Sequence, residues 1–187
     1  GDLTMPPLAD FDRDSNDYWF LGKLTQASTF TNFGYTDQHL VIGTYYYDTN
    51  LVAFTPENSD ASVLLLSRNT KEGAKNNYKI VVNAAGNYLV YREENFSWRL
   101  LHKGITPDVE VAGTINREDD EDLGYSAKVK IDWDLLGGKP AEQEIFRAHL
   151  RLHYKNNATE KPVWQEEDLE GENSDYPEEW LRLRFNK

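Results

Sequence analysis

The stretch from 125 to 138, "YSAKVKIDWDLLGG", decides the fold class. Ala127, Val129, Ile131 and Trp133 fall on one side of an extended chain, and Lys128, Lys130 and Asp132 fall on the other. A period of two marks a strand with one buried face. The alternation stops at Leu135, Leu136, Gly137 and Gly138. That break predicts a short helical turn, with Asp134 as its cap and Gly137 as its stop. Trp133 shares the apolar side, so it reads as core packing at the end of a strand, not as a platform for a ligand.

The same pattern recurs along the chain. Strands are expected near 24–30, 38–47, 62–67, 77–83, 87–92, 97–102, 108–115, 125–133, 145–155 and 179–185. "SVLLLS" (62–67) is apolar on both faces, which predicts a central strand covered twice. "NYKIVVNAAGNYLVYR" (77–92) is a hairpin around a turn holding Asn83, Gly86 and Asn87. In "EIFRAHLRLHYKN" (144–156), Ala148, Leu150, Leu152 and Tyr154 alternate with Arg147, His149, Arg151 and His153. Period two fits better than 3.6, so this too is a strand. About ten strands with close turn signals and no long helix imply an all-β, antiparallel β-sandwich with jelly-roll or immunoglobulin-like layers. Residues 1–187 form one unit, since strands resume after the acidic loops "NREDDEDLG" (116–124) and "WQEEDLEGENSDYPEE" (164–179).

Charge and composition narrow the function. The net charge is −12, from 32 acidic and 20 basic residues. Nucleic acid is therefore not an expected partner, because phosphate contacts need a basic face. There are no cysteines, which excludes disulfides and thiolate metal sites. No apolar run approaches the roughly 20 residues that span a bilayer. Aromatics are 13% of the chain, with eleven Tyr and five Trp, a richness that suits sheet faces and sugar recognition. No H-E-x-x-H, G-x-S-x-G or phosphate-loop motif is present, so the chain reads as non-catalytic.

The order of the motifs resembles the carbohydrate-binding module family 9 group, relatives of the DOMON sandwiches. "DFDRDSNDYW" ends at Trp19, and "TDQHLVIGTYYYD" supplies Asp37 and Asp48. "DASVLLLS" corresponds to the family's central strand, and Tyr78, Asn83 and Gly86 in "YKIVVNAAG" match its Y-x-x-x-x-N-x-x-G. "KVKIDWDLLG" echoes E-x-x-I-P-W-x-x-L-G, and "VWQEED" and "YPEEWLRLRF" fit the closing segments. The resemblance spans nearly the whole chain. It implies a β-sandwich that binds an oligo- or polysaccharide, in an exported, periplasmic or cell-surface protein concerned with glycan processing, its signal peptide removed.

A pyranose offers apolar C–H faces and a rim of hydroxyls, so a flat aromatic covers the face while Asn, Arg and Glu read the rim. Trp164 is the first candidate, in a polar loop beside Gln165 and at a position like that of a sugar-stacking Trp of the family. Trp98 is the second, with Arg92, Glu93, Glu94 and Asn95 near it. Both Trp residues also fit plain packing roles. Asp12, Asp14, Asn16 and Asp17 place hard oxygen ligands at close spacing, which suits a structural Ca²⁺ or else a solvated turn. No other cofactor is expected, and the chain reads as a monomer. Arg147, His149, Arg151 and His153, with Arg182 and Arg184, would face one way, either toward acidic glycans or in cross-strand ion pairs. Leu64, Lys128 and Asp132 stand where the family pattern has Glu, Glu and Pro. These departures motivate the alternative, a structural or protein-interaction sandwich that has kept the fold and lost the sugar site.

Overall fold

The computed structural model describes residues 2–5, 29–69, 75–102, 104–141, 144–166 and 180–185. Among these residues are twelve strands: β1 (Asp2–Met5), β2 (Thr29–Tyr35), β3 (His39–Tyr46), β4 (Ala61–Asn69), β5 (Lys75–Asn83), β6 (Tyr88–Glu94), β7 (Ser97–Leu101), β8 (Ile105–Ala112), β9 (Gly124–Asp132), β10 (Ile145–Tyr154), β11 (Val163–Glu166) and β12 (Leu181–Phe185). There is no helix among the described residues.

The strands form two sheets. The larger runs β1-β12-β10-β4-β5-β6-β7, and the smaller runs β2-β3-β9-β8. β10 is the long strand of the larger sheet. One edge pairs with β4, while the other is shared end to end by β12, opposite Ile145–Ala148, and β11, opposite Arg151–Tyr154. Every pairing is antiparallel except that of β1 with β12.

Alternation explains why the sheets face each other. Leu40, Ile42 and Tyr46 of β3 and Tyr125, Ala127, Val129 and Ile131 of β9 meet Leu64, Leu66, Tyr78, Ile80, Leu150 and Leu152 in one buried core. Burying each large apolar side chain contributes about 1.5–3 kcal/mol, so this layer dominates the stability. Tyr45 of β3 and Tyr47, just past its end, have ring centroids 4.3 Å apart, while Tyr46 between them is wholly buried. β4 is buried on both faces from 61 to 68, as its unbroken apolar run predicts. Its outer-facing Ala61, Val63 and Leu65 join Val81 and Trp180 in a second buried cluster.

Trp133 is 3% exposed, packs edge-on against Phe146 and Phe185, and donates its indole N–H to the Thr36 carbonyl at 3.0 Å. It is core, as the alternation requires. The turn after it closes with Gly138 N donating to Trp133 O at 2.7 Å and Gly137 N donating to Asp134 O at 3.3 Å. That is a Schellman closure, and Gly137 holds the left-handed position at φ 84°.

The structure corrects several boundaries. β8 begins at Ile105, three residues before the expected start, and includes Pro107. An edge strand tolerates proline because its outer N–H positions need no partner. β2 begins at Thr29, so it overlaps only the end of the segment expected over 24–30, most of which lies outside the described residues. The loop expected from Trp164 starts instead as strand β11, because the open edge of β10 pairs its backbone. β1 is a further strand that the sequence reading did not include.

Candidate functional site

β6 and β7 form a two-residue hairpin in which Glu94 pairs with Ser97 across Asn95 and Phe96. Both turn residues are left-handed, at φ 51° and 64°. This is a type I′ turn, whose twist suits two tightly paired strands. The register then decides what each face carries. Glu93 lies opposite Trp98, Tyr91 opposite Leu100 and Lys79, and Arg92 opposite Arg99 and Tyr78.

The outer face therefore presents an aromatic surface. Trp98 is 42% exposed. The Lys79 ammonium sits over the Tyr91 ring at 4.4 Å from its centroid and over the Trp98 ring at 5.5 Å. Such placement holds a cation against the negative faces of two rings. Glu57, from the loop between β3 and β4, accepts from the Tyr91 hydroxyl at 3.1 Å and lies 3.7 Å from the Lys79 nitrogen. Asn77 donates to Glu93 at 2.6 Å beside Trp98. Burial and the Glu57 carboxylate raise the Tyr91 phenol above its usual range. His153 lies on the same outer face, and burial, helped by the Lys79 charge, lowers its imidazole to about 4.

The opposite face of the hairpin is ionic. Glu94 takes Arg92 on one oxygen and Arg99 on the other, the latter at 3.1 Å. These bonds hold the Glu94 carboxyl below the usual carboxylate range.

The expected site residues thus divide. Trp98 belongs to the outer aromatic surface. Arg92 and Glu94 do not, because neighbouring strand residues point to opposite faces, and Asn95 occupies the turn itself. Trp164 and Gln165, of which the structure describes the backbone alone, pair with His153 and Leu152 on β11. β10, β4, β5 and β6 separate that strand from β7. Five strand spacings amount to about 24 Å. Trp98 and Trp164 therefore cannot clamp one sugar ring. Asp12, Asp14, Asn16 and Asp17 lie outside the described residues. Among the described residues, no group of three or more His, Asp or Glu side chains is placed to hold a metal.

The row on β10 shares one face, as its alternation predicts, but His149 and His153 are buried, and His149 stacks near Trp180 with ring centroids 6.0 Å apart. The two histidines thus belong to the interior, while Arg147 and Arg151 are half-buried and Arg182 and Arg184 are exposed. Leu64, at a departure from the family pattern, is in the core.

Sequence reasoning missed Tyr91, Lys79, Glu57 and Asn77, while Glu93 was among the neighbours of Trp98 that it named. Three of the four were within reach. The turn at Asn83–Asn87 fixes the β5–β6 register, which places Lys79 against Tyr91, and the next turn places Glu93 against Trp98. Glu57 has no such signal, since a loop from elsewhere delivers it.

A second concavity, of about 370 Å³, lies at the tip of β2–β3 and is lined by Asp37, Gln38, His39, Asp132, Trp133, Asp134 and Lys139. His39 Nε2 lies 3.2 Å from Asp132, and Lys139 pairs with Asp37. Among its described lining residues the one Trp, Tyr or Phe is Trp133, which is buried.

No protein-family model and no curated protein sequence matches the chain. Solved structures do. A carbohydrate-binding module of family 9 from Caldicellulosiruptor kristjanssonii, in complex with cellotriose, superposes with a TM-score of 0.67 at 13% identity, over 100% of this chain and 94% of that one. A family 9 module from the same organism in complex with glucose gives 0.67 at 13% identity, over 100% and 96%. A Bacteroides uniformis protein inferred to bind carbohydrate gives 0.68 at 13% identity, over 99% of each chain. The chain has the β-sandwich fold of carbohydrate-binding module family 9.

Proposed function

We propose that the chain is a non-catalytic carbohydrate-binding domain of an exported or cell-surface protein that acts in glycan processing. The observation that carries this reading is the outer face of β5–β7. Trp98 and Tyr91 offer flat apolar rings, and Glu57, Lys79, Asn77 and Glu93 surround them with hydrogen-bonding groups. Rings for the sugar faces and polar groups for the hydroxyl rim are what a pyranose requires. The fold shared with family 9 modules that hold cellotriose and glucose supports the same reading.

A glycan array followed by calorimetry tests it. Trp98→Ala is expected to weaken binding about tenfold, the loss of one aromatic contact. Unchanged affinity would remove the site from this face. The alternative, a protein-interaction sandwich, draws on the exposed apolar side chains of the β7 edge, Trp98 and Leu100, beside Phe96. It is favoured if no glycan binds and a protein partner competes for Trp98.

A further inference from the structure

Phe96 occupies the second position of the type I′ turn at φ 64° and is 100% exposed. Turns of this type favour Asn-Gly, because glycine adopts the left-handed region without a Cβ clash. An aromatic residue there is a conformational outlier. The ring is fully exposed and packs against none of the described residues, so no packing among them offsets the strain. Strain without a packing return is the mark of a residue held for contact with something else.

Its position says what that contact is. Phe96 precedes Trp98 by two residues, and Trp98 lies diagonally across the strand pair from Tyr91. The Trp98–Tyr91 diagonal is about 7 Å, and Phe96 stands at the turn end of the same strand pair, so the three aromatic positions follow one another along the hairpin. Polar groups flank the inner part of the row, with Glu57 at Tyr91 and Glu93 with Asn77 at Trp98. Among the described residues, no strand lies beyond β7, so the row runs along an open sheet margin.

We infer that the binding face extends past Trp98 onto Phe96, and that it takes an extended chain of several sugar units, with Phe96 as the outermost stacking contact. This inference rests on the carbohydrate-binding reading. A single pyranose covers one ring of such a row, so the Phe96 contribution appears only with longer ligands.

The test uses the whole chain and two turn-compatible variants, Phe96→Gly and Phe96→Asn. Affinity electrophoresis is run through gels holding hydroxyethylcellulose, xylan, mannan, laminarin or pectin, with calorimetry on glucose and cellotriose. At least one polysaccharide is expected to retard the parent, and both variants are expected to lose about tenfold in that affinity, a loss of about 1.4 kcal/mol. Affinity for a monosaccharide should change less than about twofold. Phe96→Gly should melt no lower than the parent, which separates lost contact from lost fold. If the parent is retarded and both variants match it, the Phe96 inference fails while the carbohydrate reading stands. If no gel retards the parent and neither sugar binds, both fail. If the variants change sedimentation instead of glycan affinity, Phe96 touches a second copy of the chain, and the inference is likewise overturned.

Discussion

Arg68 and Glu144 meet as a two-point ion pair inside the protein, with Nε to Oε1 at 2.6 Å and Nη2 to Oε2 at 3.0 Å. Both side chains are buried. Arg68 Nη1 also donates to the carbonyls of Leu136, at 2.5 Å, and Gly138, at 2.6 Å, and its guanidinium lies 4.9 Å from the Phe146 ring centroid. One side chain at the end of β4 thus ties down both the turn after β9 and the approach to β10.

Removing one member of that pair strands the other charge. Arg68→Leu or Glu144→Leu should each lower stability by about 3–5 kcal/mol, because a lone buried charge keeps its desolvation penalty. The double variant Arg68→Leu/Glu144→Leu should lose less than the two single losses combined, because neither charge then remains. Urea denaturation of the three variants checks this. Strict additivity would mean that the pair is not coupled.

Asp60 and His153 should give the protein opposing responses to pH. Asp60 Oδ2 accepts from Val52 N at 2.6 Å, and Oδ1 accepts from Lys155 N at 2.7 Å. Tyr46 O–H donates to the His153 carbonyl at 2.8 Å and to Asp60 at 3.4 Å. Burial pushes the Asp60 carboxyl up to about 7, from 3.8. Between those values the native state holds a proton that the unfolded chain has released, so stability falls as pH rises. His153 is pushed down to about 4, from 6.5, chiefly by burial. Across that window the unfolded chain holds the proton, so stability falls as pH drops. Asp60→Asn should therefore leave a protein whose urea midpoint climbs from about pH 4 to about pH 6.5, while His153→Gln should leave one whose midpoint declines. The parent should be flatter than either. Parallel profiles for all three would dismiss this opposition.

Gly124 marks a close approach that no side chain survives. At φ +123°, a Cβ there would lie 2.0 Å from the Tyr46 carbonyl oxygen. The obstacle is backbone, so relief requires parting β3 from the start of β9 and disturbing the Tyr46–Tyr125 ring stack at 4.9 Å. Gly124→Ala should cost at least about 2 kcal/mol, or roughly 4–8 °C in melting temperature. A variant that melts with the parent would show that the strands do not pack this closely.

Most of the sandwich is legible because its strands carry their own patterns. β9 alternates cleanly into Trp133, β4 is apolar on both faces, and period two in β10 outweighs its helical look. β11 is not legible, since four residues reading Val-Trp-Gln-Glu become a strand only where β10 leaves an edge open. The start of β8 is hidden by Pro107, which reads as a breaker until the strand is known to lie at an edge. Within the site, Trp98 stands out by type, but of its polar neighbours in sequence only Glu93 shares its face. Arg92 and Glu94 are near it along the chain and on the wrong side of the sheet. Register, not proximity in sequence, selects Tyr91 and Lys79.

The sheet order also sets the sequence of events as the chain is made. β4, β5, β6 and β7 are consecutive and pair as local hairpins, so they can form as soon as residue 101 emerges. The other edge of β4 waits for β10, whose partners lie from Phe146 to His153. Until then a long apolar strand, later covered on both faces, presents an unpaired edge. A nascent chain stalled before β10 is therefore the aggregation-prone species for this protein, and chaperone engagement should peak there and fall once β10 is synthesised.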